Sequence, residues 1–182
     1  MASLEEVEGF LSPAYVFPMR LLVANFDAQT VVTKEEVVGA VLALPHPHIS
    51  GIHVVRYDPF RTIATTLGHL TEQPSVVSSQ GLFYHDREAA VIVLFRFHDR
   101  AEFLHVLYHE IGHYVFLRRL DQRQRDRWMY HIRKAEAGTV SAYAKRNSRE
   151  DFAETYAVYG TGAAGLERLP QREAFMREVV FA

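Results

Sequence analysis

The chain of 182 residues contains no cysteine. That absence excludes disulfides, thiolate catalysis and every zinc or iron–sulfur site that needs a cysteine ligand. Nor is there an excess of charge of one sign. Lys and Arg number 20 against 22 Asp and Glu, a net charge of −2, so no electrostatic footprint calls for nucleic acid or an anionic membrane. No run approaches the ~20 apolar residues of a membrane span. No repeat, low-complexity tract or linker divides the chain, and a single domain over 1–182 is expected, a size that buries roughly 70% of the surface its unfolded form exposes. The N-terminus, Met1-Ala2-Ser3-Leu4-Glu5-Glu6-Val7-Glu8, is acidic where an export signal is basic and then apolar. The expectation is a cytoplasmic protein, or one delivered by a signal-less route.

What is plentiful is histidine, with ten residues. Without cysteine, any metal site must be built from imidazole and carboxylate. The pattern of elements shows where such a site could sit. Thr33 and Glu36 are spaced as a capping box for a helix to about Leu44, stopped by Pro45 and Pro47. Ile52 to Tyr57 has the β-branched content of a strand, and Asp58 to Gln80 reads mostly as loop. Residues 81–85 and 89–95 read as a hairpin about Asp86-Arg87-Glu88, the second strand apolar throughout. Then the chain turns helical. Asp99 and Glu102 frame a box for a helix to about Leu120, a charged helix runs from Asp121 to near Gly138, Ser148 with Asp151 caps a third ending at Gly160, and Pro170 opens a fourth that runs to the end. Strands followed by helices make an α+β order.

The helix over 101–120, AEFLHVLYHEIGHYVFLRRL, is apolar on nearly every side and reads as buried, yet it carries His105, His109, Glu110 and His113. Strongly polar groups buried without a partner cost several kcal/mol, so they require compensation. His109-Glu110-Ile111-Gly112-His113 is an HExxH motif. Positions i and i+4 lie one above the other on a helix, so both imidazoles can reach one zinc ion while Glu110 stands beside them to take the proton of a metal-activated water. Two packed histidines and a chance acid are the bland alternative. His105 extends the column but lacks the adjacent acid, and is read as packed or supporting.

The third ligand is open at this point. A metzincin needs Gly at 116 and His at 119, where this chain has Phe116 and Arg119; an acid nineteen residues past the second histidine is also missing, the position being Ile132. His131 and Glu136 are nearby but carry no motif. The stronger candidate is Ser148-Arg149-Glu150-Asp151-Phe152-Ala153-Glu154. There Glu150 and Glu154 share a helix face, an unfavourable pair unless a cation lies in front of it. Glu150 could ligate zinc while Glu154 accepts the N–H of a ligand histidine.

HEIGH followed by YAKRNSREDFAETYAVY resembles the short-spacer gluzincin metallopeptidases related to anthrax lethal factor and to the Pro-Pro endopeptidases. Tyr143 stands seven residues before Glu150, and Glu154 follows at the matching place. The resemblance covers residues 81–160. It implies a zincin-like fold with a small mixed sheet, an upper-rim strand, an active-site helix and a mainly helical C-terminal half. It also implies zinc held by His109, His113 and Glu150, with Glu110 as general base and Tyr143 as a donor to the oxyanion. A phenol placed there adds stabilisation that grows toward the transition state.

The expected activity is zinc-dependent endopeptidase hydrolysis, with the strand 89–95 as a rim that binds an extended peptide or protein substrate by β-augmentation. Two other classes stay open: a zinc-containing binding or regulatory module, and a zinc hydrolase with a non-peptide substrate. Trp128 is expected to pack the charged helix on the core. The remaining histidines, His46, His48, His53, His69, His85 and His98, form no ligand spacing.

Overall fold

The computed structural model describes residues 21–62, 80–85 and 90–182. The N-terminal segment, His69, most of the expected 58–80 loop and the turn at 86–88 lie outside the described residues. The described residues open with β1 (Leu22–Ala24), a strand too short to announce itself in the sequence, followed by a 3-10 turn at Phe26–Ala28. Helix α1 (Lys34–Leu42) starts on the expected capping box, with Glu36 N–H bonded to Thr33 Oγ1 and Thr33 N–H to the Glu36 carboxylate. Pro45 and Pro47 end that helix but also begin α2 (His46–Ile49). A proline in the first helical turn gives up an N–H that has no partner there anyway.

The sheet contains β2 (Ile52–Tyr57), β3 (Gly81–His85) and β4 (Ala90–Leu94) beside β1, in the order β1-β2-β4-β3. β1, β2 and β4 run parallel and β3 is antiparallel. This corrects the expected rim. The apolar strand at 90–94 is interior, paired on both sides, with Ile92, Val93 and Leu94 fully buried. Its lack of polar alternation is the mark of a strand covered on both faces. Among the described residues β1 and β3 are the edge strands, and β3 is the one beside the motif helix.

Helix α3 (Arg100–Arg118) packs on this sheet and carries the histidines. Asp99 caps it by accepting from Glu102 N–H, but the expected reciprocal bond is absent. The Glu102 carboxylate turns instead to the backbone and ring of His98 and to Gln80. The charged helix is α4 (Gln122–Arg127), prolonged by a π segment at Trp128–Ile132 and by α5 (Arg133–Ala135), so it stops short of Gly138. Helix α6 (Ser148–Thr161) is capped by Asn147, whose Oδ1 accepts from Arg149 and Glu150 N–H, rather than by Ser148. It ends at Gly162 in the left-handed conformation, two residues past Gly160. Pro170 opens α7 (Pro170–Phe175), and a π segment carries it to Val180.

The layout is α+β as expected: a small mixed sheet whose edge strand borders the motif helix, then a helical half. A contiguous core of buried residues reaches from Val23 to Val180. Phe26, Phe97 and Phe103 fill it on the sheet side, and Trp128, Phe152 and Phe175 on the helical side. Trp128 is fully buried, as expected, and its Nε1–H bonds Ser148 O at the start of α6. Among the described residues no helix is long and apolar enough to cross a membrane.

Candidate metal centre

The site is made where α3 and α6 cross. In the middle of the HExxH motif, a Cβ on Gly112 would lie 3.0 Å from Ala153 Cα and 3.1 Å from Tyr156 Cβ. The glycine lets the two backbones approach closely. A glycine inside a helix costs about 1 kcal/mol relative to alanine, and here it is offset by packing that brings the acids of α6 to the imidazoles of α3.

His109 Nε2 and His113 Nε2 face each other at 3.1 Å, and Glu150 Oε2 lies 3.2 Å from each. The one atom of Glu150 aimed at both rings is buried and makes no hydrogen bond of good geometry. Three donors in a near-equilateral triangle fit a single metal ion, since tetrahedral bonds of about 2.0–2.1 Å place donors roughly 3.3 Å apart. The donor chemistry narrows the choice of ion: imidazoles suit zinc and its transition-metal neighbours and are poor ligands for magnesium or calcium. Three protein donors leave a coordination position open.

Glu154, one turn beyond Glu150, places Oε1 2.7 Å from His109 Nδ1 and 3.2 Å from His105 Nε2. The approach to His109 lies off the ring's N–H axis, so Nδ1 is short of a well-formed bond although the charges are close. Burial pushes the His109 imidazolium down, but the carboxylates of Glu150 and Glu154 prevail and hold its pKa up at about 10. Burial raises Glu150, and contacts from His109 and His113 overcome that and hold it at about 2. The cluster is built to keep a positive charge at its centre.

Glu110 is buried beside the triangle, with the Phe83 N–H of β3 donating to its carboxylate; burial pushes its pKa up. A Cβ on Gly81 would stand 2.6 Å from Glu110 Oε1. Only glycine at the start of the edge strand leaves room for that carboxylate. The bond from Phe95 N–H to Gln80 O and the 81-to-94 register turn Leu82 and Tyr84 toward β4. The N–H and C=O of Gly81, Phe83 and His85 therefore face away from β4, at the outer edge of the sheet among the described residues.

Tyr143 opens a 3-10 turn, Tyr143–Lys145, pinned by the buried Ala144 and by Ser141 Oγ accepting from Ala144 N–H. Its ring centroid is 5.8 Å from that of His109 and its side chain lines the same cleft, a hollow of about 720 Å³ that also holds His109, Glu110, His113 and Glu150. Burial, followed by the charge of Glu150, raises its phenol.

All six singled-out residues, His109, Glu110, His113, Tyr143, Glu150 and Glu154, thus meet in one place. The other acids considered do not. Glu136 is an ion-pair partner of Arg172, 2.8 Å away, and His131 belongs to no ligand group among the described residues. Asp151, expected to help cap α6, is instead fully buried against Arg172. His48, outside any ligand spacing, is a packing histidine: its ring bridges Tyr156 Oη and Val180 O at 2.8 and 2.7 Å. Gly81 and Gly112 escaped the sequence reading. A glycine in the middle of an otherwise buried helix was the available signal for Gly112; Gly81 had none beyond its place at a strand start.

The sequence matches no protein-family model and no curated protein. Among solved structures, one similar in fold is described as a "putative zinc-binding metallo-peptidase" from Bacteroides caccae, with 10% identity, a TM-score of 0.42, and coverage of 88% of this chain and 79% of that one.

Proposed function

We propose that the protein is a zinc-dependent metalloendopeptidase of the gluzincin type. The observation that carries this reading is the triangle of His109, His113 and Glu150 donors set beside a buried acid, Glu110, at the floor of a cleft bordered by the edge strand β3 of the described sheet. The resemblance of residues 81–160 to that family supports it independently. In this reading His109, His113 and Glu150 hold zinc, and Glu154 steadies the His109 ring. Zinc bound there lowers the pKa of a coordinated water and polarises a carbonyl.

The chain's own residues do the rest. An extended peptide adds to β3 through the outward N–H and C=O of Gly81 and the outward C=O of Phe83, whose N–H is already given to Glu110, and this lays the scissile carbonyl across the site. Glu110 Oε accepts the proton of the attacking water and passes it to the leaving amine. Its burial favours the protonated state and helps it hold that proton between the two steps. The Tyr143 hydroxyl donates to the oxygen that becomes negative as the amide carbon turns tetrahedral.

The test is a peptide-library screen read by mass spectrometry on wild type and Glu110→Gln, with metal content measured on both. Glu110→Gln is expected to keep its zinc and lose about 10²–10⁴-fold in turnover, the range of a general acid–base group. Cleavage at the wild-type rate overturns the role of Glu110. Wild-type protein that takes up no zinc overturns the ligand set, and zinc without cleavage of any peptide assigns the site to a binding module or to another substrate.

A further inference from the structure

The 720 Å³ cleft continues into a second hollow of about 400 Å³ that shares Gly81, His109, Glu110 and Tyr143 with it, so one trough passes over the metal site. Its three carboxylates and three arginines are equal in number but differ in what they touch. The trough's carboxylates are all engaged: Glu110 by the Phe83 amide, Glu150 by the two histidines, Glu154 by His105 and His109. Its arginines are not. Arg146 and Arg149 line one arm and Arg96 the other. All three are exposed, and among the described residues none has a carboxylate partner. The Arg146 guanidinium stacks 4.8 Å from the Tyr143 ring centroid, which fixes that charge inside the cleft. Three arginines without a carboxylate partner among the described residues thus face this one trough, and a divalent ion at the metal site would add to their charge.

We infer that the trough selects an acidic peptide, with Asp or Glu on both sides of the bond at the metal site, held by Arg146 and Arg149 in one arm and Arg96 in the other. The inference deepens the peptidase reading and rests on it only for the bond that is cut; recognition itself is a matter of charge. Arginine suits the task because its planar fork takes a carboxylate through two parallel hydrogen bonds.

The test separates recognition from cleavage by using zinc-loaded Glu110→Gln protein and fluorescein-labelled decapeptides of alternating Glu and Ala, Lys and Ala, or Gln and Ala, read by anisotropy. The Glu peptide is expected to bind at least about fivefold more tightly than the Gln peptide and more tightly still than the Lys peptide, with the difference shrinking in high salt. Adding Arg149→Glu or Arg96→Glu should each reduce the preference for the Glu peptide. Arg149 adjoins a ligand, so if Arg149→Glu loses zinc or unfolds, Arg96→Glu, in the far arm, carries the test. Equal binding of the three peptides, preference for Lys, or a Glu preference unmoved by Arg96→Glu overturns the inference even if wild type cleaves peptides. A Glu preference in a protein that cleaves none leaves the inference standing and removes the peptidase reading.

Discussion

His109 has Glu150 on one side of its ring and Glu154 on the other, and both carboxylates favour a positive charge on or beside it. Without metal that charge is a proton, held up to a pKa of about 10. At pH 7 the metal must therefore displace it. Binding of zinc is expected to release about one proton at this residue and to strengthen as pH rises, by up to about tenfold per unit below the imidazole's pKa. Calorimetry in buffers of different ionisation enthalpy measures this, and a metal affinity independent of pH would contradict it. At this scale the motif histidines and Glu110 were readable because helical spacing alone puts i and i+4 on one face. The place of Gly81 was not, since nothing local states that its missing Cβ is the space of a side chain twenty-nine positions away.

Between elements, the crossing of α3 and α6 decides the site. Gly112→Ala gains helix propensity of about 1 kcal/mol, but its methyl meets backbone at 3.0 Å, where overpacking costs about 1–3 kcal/mol. The expected outcome is a net loss of up to about 2 kcal/mol in denaturant unfolding together with weaker zinc binding, because α6 carries Glu150 and moves with the crossing. Unchanged stability and affinity would mean that the helices do not need this contact. Helix existence was legible from periodicity and caps, as Thr33 with Glu36 illustrates. Cap identity was less so. Asn147 and Ser148 are both capping types, and Asn147 prevails because Ser148 is already in the helix, where its carbonyl accepts from Trp128. Strand order was illegible too: an apolar run tells that β4 is covered, not which neighbour covers it.

Across the whole molecule, the first turn of α6 is anchored from behind. Arg172, fully buried, donates to Asp151 on α6 and to Glu136 after α5, beneath the aromatic cluster of Trp128, Phe152 and Phe175. Removing one partner of a buried pair leaves an uncompensated charge, so Arg172→Ala should cost about 3–5 kcal/mol of global stability. Thermal or denaturant unfolding checks this, and a loss under 1 kcal/mol would show that the pair is dispensable. The sequence by itself determined the chemistry: with no cysteine, any metal must be held by imidazole and carboxylate, and the HExxH spacing on one helix places two of those donors together because helix geometry is local. The pairing of Glu150 with Glu154 on one helix face, and the spacing of Tyr143 before them, already pointed to the partner acid, whose donor the structure brings to the two histidines. Only the tertiary structure decided the edge strand and which side chains share the trough. Those depend on which helix crosses which, and on long-range packing around Gly112 and Arg172, and no spacing along the chain encodes them.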